Sequence, residues 1–209
     1  MTSYPTAKWV LDKAASVALL VLLSPVFAFL FVAMGLEMLF RAHDRGPWLY
    51  RERRISRGRE FELLKFRTLR REVLARIDSE SHARMHEGDE GNLTWAGRRL
   101  LKPWYLDELP QIWNVLRGDM SLVGPRPWPS SMVANQVAEG LNYRNEVVAG
   151  WTGPAQVEKG VTRPAGYAVL DVAYVDLCRT SGGWTVICTD LAILRRTVVV
   201  MAKGEGLQF

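Results

Sequence analysis

The sequence predicts a mainly helical chain with short β elements. A helix–break–helix sits in a membrane as a re-entrant element, followed by a compact α/β domain on the cytosolic face with interfacial amphipathic helices. Three observations carry this expectation. Val17 to Met34 runs eighteen residues without a charge and is interrupted at Ser24-Pro25. Residues 41–76 then hold twelve basic against five acidic side chains. Beyond them, helical periodicities alternate with turn-rich segments, and no second apolar run reaches membrane length. The expected division is residues 1–40 for the membrane hairpin and 41–209 for the domain at the interface.

The composition is that of a folded chain. Of 209 residues, 48% are apolar and 23% charged, which excludes a disordered chain, a collagen-like repeat and a disulfide scaffold. Cys178 and Cys188 stand ten apart and match no metal or redox spacing, consistent with a reduced, cytoplasm-facing compartment. The net charge of +5 is unevenly spread. Residues 1–40 are neutral, 41–76 carry +7, 77–94 carry −4 and the remainder +2. A basic collar beside an apolar segment points to an anionic lipid surface, where each cation contributes on the order of 1 kcal/mol. A nucleic-acid binder would show a basic stripe without the anchor.

The apolar run is at the threshold for a spanning helix. A signal peptide fits it less well, because Glu37 and Arg41 follow it in place of a small-residue cleavage site. Proline removes a helical hydrogen bond, and the Ser24 hydroxyl can cover the carbonyl so freed. The arms 14–23 and 26–40, at about 1.5 Å per residue, each fall short of a hydrocarbon core of about 30 Å. Lys8 and Lys13 precede the segment and Arg41, Arg45, Arg51, Arg53 and Arg54 follow it. Basic flanks at both ends favour a hairpin that enters and leaves on one face. A kinked single-pass helix and a core helix of a soluble protein stay open on these residues alone.

Further along, FELLKF at 61–66 reads either as a strand or as the start of an amphipathic helix through Ile77. Residues 78–92 read as a solvated acidic loop, the His82/His86 pair lacking a third ligand. DELPQIWNVLRGDM reads as a helix capped by Asp107 and ended by Gly118, with Ile112, Trp113 and Leu116 as its apolar face. SLVGPRPWP reads as a stiff extended loop. Helices are expected over 131–147, 167–179 and 184–202. In the last, Trp184, Ile187, Cys188, Leu191, Leu194, Val198 and Met201 share a stripe that faces either the core, the more frequent outcome, or a bilayer surface.

The residues suited to chemistry are few. Asp107 and Glu108, adjacent carboxylates at a helix start, can hold Mg²⁺ and face a phosphate, and an aspartate can form an acyl-phosphate. Helix capping is the plainer reading of the same pair. Arg126, fixed between Pro125 and Pro127, can aim a guanidinium fork at a phosphate, and Lys65 with Arg67 flank Phe66 as a second basic pair. The plain alternatives are a solvent-exposed arginine in a turn and a basic element that only touches lipid.

Together these segments are distinctive. A broken apolar hairpin with Ser24-Pro25 is followed by GPWLYRERRISRGREFELLKFRTL, LKPWYLDELPQIWNVLRGDMSLVGPRP, VVAGWTGPAQV, LDVAYVD and a terminal helix. From about Lys8 to Gly206 the chain resembles the small bacterial monotopic phosphoglycosyl transferases, in what looks like their minimal form.

The resemblance implies a re-entrant helix broken at Ser24-Pro25 and an active site at the cytoplasmic face of the bacterial inner membrane. It implies that Asp107 attacks the sugar-bearing phosphorus of a UDP-sugar and expels UMP. Polyprenol phosphate then takes the phosphosugar in a ping-pong reaction, the first membrane step of glycoconjugate or exopolysaccharide assembly. Mg²⁺ is implied at Asp107 and Glu108, with Glu108 either positioning the metal or handling a proton. Phosphate or nucleotide contacts fall to Lys65, Arg67, Pro125, Arg126, Pro127, Gln156 and Asp171. The implied partners are the UDP-sugar, polyprenol phosphate and membrane lipids, with no nucleic acid; a homodimer is compatible with the resemblance. After Gln156 the family often reads glycine-arginine-asparagine, where this chain has Val157-Glu158-Lys159-Gly160 and Arg163 further on. Trp104 also stands where a smaller residue is usual, so sugar specificity does not transfer. A non-catalytic, membrane-anchored basic module is the reading from another class; it leaves the Asp107-Glu108 pair and the Pro-Arg-Pro loop unexplained.

Overall fold

Pro25 sets the first feature of the fold. In a computed structural model, which describes residues 5–77, 83–158 and 164–203, two helices follow one another, α1 (Thr6–Leu22) and α2 (Ser24–Phe40), bent by 56° at Leu23. Pro25 lies in the first turn of α2, where a missing N–H costs nothing. The carbonyl it leaves without an α-helical donor is that of Val21, and Ser24 Oγ donates to that oxygen at 2.8 Å. No single described helix is long and apolar enough to cross a membrane; the bent pair passes that test only together. Of the residues singled out above, His82, Lys159, Gly160 and Arg163 lie outside the described ones.

The chain packs as two compact units that interleave in sequence. One takes 1–17, 54–61 and 114–209, the other 18–53 and 62–113. The two strands β1 (Leu49–Ser56) and β2 (Arg59–Phe66) form a hairpin whose tip belongs to the first unit and whose base belongs to the second. Its two-residue turn, Arg57-Gly58, has φ of +50° and +71°, the left-handed pair that a type I′ turn requires. FELLKF is therefore strand and not helix. The helix expected to run on to Ile77 is reduced to α3 (Arg71–Leu74).

In the second unit, α2 is pinned to the hairpin base by aromatics. Phe31 meets Trp48 and Phe66 edge-on at 5.4 and 5.5 Å, and Phe27 meets Phe66 at 5.8 Å. Deeper in, Glu37 accepts from the Ala96 amide at 2.9 Å, and Asp44 accepts from Arg70 Nε at 3.2 Å. The expected helix from Asp107 begins later, as α4 (Gln111–Arg117), and Asp107 is not its cap. Pro110 has no N–H for the Leu106 carbonyl, so the Leu109 amide takes it at 3.2 Å and closes a tight 3₁₀ turn over Leu106–Glu108. On α4 the buried face is Ile112 and Val115, while Trp113 is exposed. Gly118, at φ +95°, ends the helix as expected.

The first unit is built on a parallel pair, β3 (Ser121–Val123) and β4 (Gly150–Thr152), in register Ser121↔Gly150 and Val123↔Thr152. A Cβ on Gly150 would lie 2.0 Å from the Gly124 nitrogen, so only glycine allows this approach. Around the pair lie α5 (Ser130–Ala138), α6 (Pro154–Val157), α7 (Pro164–Thr180) and α8 (Gly183–Ala202). The helix expected over 131–147 stops at Ala138, and a short turn follows at Tyr143–Asn145.

The outcome for α8 overturns the core reading of its stripe. Its inner face is Val186, Asp190, Ile193 and Val200, whereas Trp184, Leu191 and Val198 stand 76%, 50% and 67% exposed. Polar anchors select the inner face. Lys8, itself buried, ion-pairs with Asp190 and donates to the Val123 carbonyl at 3.0 Å. Tyr174 donates to Asp190 at 2.7 Å, and Thr197 bonds Thr152 at 2.8 Å. Removing one member of a buried ion pair leaves the other uncompensated, at a cost of about 3–5 kcal/mol. Lys8→Met is therefore expected to lower the unfolding midpoint sharply in detergent, and adding Asp190→Asn to recover most of the loss. A midpoint unchanged in Lys8→Met would contradict this anchoring.

Candidate active site

Within the second unit, Asp107 is 3% exposed and sits in the 3₁₀ turn Leu106–Glu108. The approach to it is unusual backbone. A π-turn at Gly97–Leu101 is followed by Tyr105 at φ +55°, a left-handed conformation uncommon outside glycine. The close fit at the start of this stretch is fixed by Gly97, where a Cβ would lie 2.4 Å from the Thr68 carbonyl oxygen. Strained segments of this kind collect at sites whose geometry matters.

Lys102 Nζ lies 3.3 Å from Asp107 Oδ2 and 2.6 Å from Glu87 Oε2. The other Glu87 oxygen accepts from Thr68 Oγ1 at 3.0 Å. Lys65, on β2, ion-pairs with the buried Glu52 of β1 at 3.3 Å. Burial pushes the Asp107 carboxyl up to about 6. Lys102 and Lys65 pull it back, while Glu108 and Glu87 push it further. Burial works against the Lys102 ammonium, but Asp107 and Glu87 outweigh it and hold its pKa above the ordinary lysine value.

The structure thus brings Asp107, Glu108 and Lys65 into one neighbourhood. Arg67 has a different job. It is fully buried, with Nε on the Pro47 carbonyl at 2.7 Å, Nη1 on that of Leu69 at 2.9 Å and Nη2 on that of Asp44. Its guanidinium ties three main-chain carbonyls together, two in the loop 44–47 and one at Leu69, and does not present itself to a phosphate. Glu87, Lys102, Thr68 and Glu52 are the members that reading the sequence missed. Glu87 lay in the stretch taken for a solvated loop, and nothing in the spacing of Lys102, five before Asp107, distinguishes it from a surface lysine.

The remaining candidates belong to the first unit. Pro125 and Pro127 are buried and Arg126 between them is half-buried. Gln156 is buried on α6 and donates to the Trp151 carbonyl at 3.3 Å; no described group pairs with its Oε1. Asp171, on α7, is buried and ion-paired with Arg144 at 3.2 Å, and burial pushes its carboxyl up to about 6 against the pull of that arginine. Asp171 therefore commits its charge to Arg144.

Among the described residues, no three His, Cys, Asp or Glu side chains converge as a preformed metal cage. Mg²⁺ does not need one, since it is commonly held by one or two carboxylates together with substrate phosphates. Asp107 and Glu108 fit that donor set.

A family model described as bacterial sugar transferase matches residues 3–204. The chain is 36% identical over 197 residues to the UDP-glucose:undecaprenyl-phosphate glucose-1-phosphate transferase of Caulobacter vibrioides, covering 91% of this chain and 68% of that protein. It is 30% identical to the undecaprenyl-phosphate galactose phosphotransferase of Salmonella typhimurium, over 93% of this chain but only 40% of that protein. With an uncharacterized sugar transferase of Bacillus subtilis it shares 34% identity over 96% of this chain and 90% of that one. The chain belongs to the bacterial sugar transferase family and is by that membership an enzyme of the phosphoglycosyl transferase type.

A carboxyl whose folded pKa is raised favours the protonated folded state. Its stabilising contribution is present below about 4 and lost as the pH rises through 6. Asp107→Asn removes the ionised form, so this variant is expected to be more stable than the wild type at neutral pH, by up to about 3 kcal/mol. The gap should close as the pH falls from 6 to 4. Thermal unfolding across that range checks it, and a variant less stable at pH 7 would contradict the electrostatic reading of the site.

Proposed function

We propose that this chain transfers a sugar-1-phosphate from a UDP-sugar to polyprenol phosphate, giving polyprenyl-diphospho-sugar and UMP through a phosphosugar carried on Asp107. The observation that carries this reading is the Asp107–Lys102–Glu87 arrangement within a chain of this family. Lys102 occupies Oδ2, so Oδ1 is the atom we assign to attack. It bonds to the sugar-bearing phosphorus as the bond from that phosphorus to the bridging oxygen breaks, and UMP leaves with the electron pair. A phosphate oxygen of polyprenol phosphate then attacks the same phosphorus, and Asp107 departs as the carboxylate. A carboxyl raised to about 6 is mostly ionised at neutral pH and is more basic, hence a better nucleophile, than an ordinary aspartate. Mg²⁺ held by Asp107 and Glu108 would offset the charge developing on UMP. Lys65 is assigned to donor contacts beside Asp107; Arg126 and Gln156, in the first unit, are assigned to the donor on the family resemblance alone.

The proposed location is the cytoplasmic face of the bacterial inner membrane, with α1 and α2 re-entrant. Each has 17 residues, about 25 Å, short of a bilayer core of about 30 Å. Their outward residues include Val17, Val21, Leu22, Phe29, Val32, Leu36 and Phe40, all at least half exposed. The names of the relatives support undecaprenyl phosphate as acceptor and UDP-glucose among the donors to try first.

The test is UMP release from a panel of UDP-sugars with Mg²⁺ and undecaprenyl phosphate. The wild type is expected to turn over at least one sugar, with an acid limb where Asp107 protonates. Asp107→Asn should fall to background while still partitioning with membranes. Lys102→Met removes the cation that lowers the Asp107 pKa, so its acid limb should move to higher pH. A Lys102→Met limb that stays in place or moves down would contradict the assigned role.

A further inference from the structure

Arg144 is almost fully buried in the first unit, on the short turn Tyr143–Asn145. Each arm of its guanidinium faces inward. Nε donates to Gln136 Oε1 at 2.9 Å, Nη2 to Asp171 Oδ2 at 3.2 Å, and Nη1 to the carbonyl of Arg126. Its plane lies over the Trp128 indole, 3.9 Å from the ring centroid, with the Tyr143 ring 5.0 Å away. Arg144 thus serves as a strut between α5, α7 and the loop that carries Arg126.

That loop is held at several successive points. The Gly124 amide donates to the Thr152 carbonyl at 2.9 Å, the Gly150 amide to the Pro125 carbonyl at 2.9 Å, and the Ile55 amide to the Trp128 carbonyl at 2.9 Å. Pro125 and Pro127 fix φ on either side of Arg126. The peptide plane between Arg126 and Pro127 has no N–H of its own, so it can be anchored only through its carbonyl, the oxygen to which Arg144 donates.

We infer that Arg144, braced by Asp171 and stacked on Trp128, is a positioning residue that sets the direction in which the Arg126 side chain leaves the loop. This rests on the assignment of Arg126 to the donor phosphates. It gives Asp171 an indirect role, through Arg144, in place of a direct contact with the nucleotide. Lysine at 144 would keep the charge beside Asp171 but lose the fork and the stacked plane.

The test is a double-mutant cycle on kcat/KM for UMP release, using the UDP-sugar that the wild type turns over fastest. The variants are Arg126→Ala, Arg144→Lys, Asp171→Asn and the pairs that combine Arg126→Ala with each of the other two. A small displacement of a binding group can cost up to about 100-fold, so Arg144→Lys and Asp171→Asn are each expected to lose roughly 10- to 100-fold. In the Arg126→Ala background each should cost less than about 3-fold, because the group they aim is gone. Unfolding midpoints measured on the same samples separate misfolding from misplacement, and Asp171→Asn, which is isosteric, keeps the cycle readable if Arg144→Lys folds poorly. Additive losses in the double variants would overturn the proposal, as would wild-type kinetics in both single variants. An Arg126→Ala enzyme with unchanged kcat/KM would instead refute the assignment of Arg126 to the donor, whatever Arg144 does.

Discussion

The proposed chemistry depends on one carboxyl, that of Asp107, which the fold keeps out of water without neutralising it. Burial raises the Asp107 pKa and so favours its protonated form, which is the poorer nucleophile. Lys102 and Lys65 offset that penalty, and the balance reached, near 6, leaves the group ionised at working pH yet more basic than a surface aspartate. Lys102 is in turn held by Glu87, and Glu87 by Thr68. The second unit reads as a set of supports for this pair. The aromatic contacts of α2 fix the hairpin base that carries Lys65, and the buried fork of Arg67 fixes the stretch just after it that leads to Thr68.

The first unit applies the same principle to backbone. Its parallel strand pair is so close that glycine is required at Gly150, and the end of β3 runs directly into the Pro-Arg-Pro loop. Lys8 holds the Val123 carbonyl at the root of that loop while Arg144 holds the carbonyl of Arg126 within it. In both units buried cations are used as struts against main-chain oxygens. Of the twelve cations in the basic collar read from composition, Arg67 at least is turned inward to main-chain carbonyls.

How much was legible in the sequence follows from the range of the interactions. Ser24-Pro25 acts within one turn, and its break was readable, down to the hydroxyl covering the freed carbonyl. The stretch from Leu106 to Pro127 carries its own prolines and glycines, so the helix end at Gly118 and the constrained loop after Gly124 were readable from local signals, and the candidate nucleophile was drawn from the same stretch. The late start of α4 was missed because a proline three residues after Asp107 permits either an α or a 3₁₀ turn. Glu87, Lys102, Glu52 and Arg144 were illegible because opposite charges far apart in sequence announce nothing until folding brings them together. Arg67 read as a phosphate ligand because an arginine beside a phenylalanine looks the same whether its fork faces solvent or three carbonyls. On α8 the apolar periodicity was real, but Asp190 and Thr197 placed the opposite face inward.

The central claim is that Asp107 becomes covalently linked to a phosphosugar, and mass spectrometry of the protein after reaction tests it most directly. With a UDP-sugar that supports turnover and no polyprenol phosphate present, the peptide containing Asp107 should gain the mass of one sugar phosphate. Added polyprenol phosphate should discharge it. UMP release without any adduct in rapidly quenched samples, or an adduct that persists in Asp107→Asn, would contradict the account.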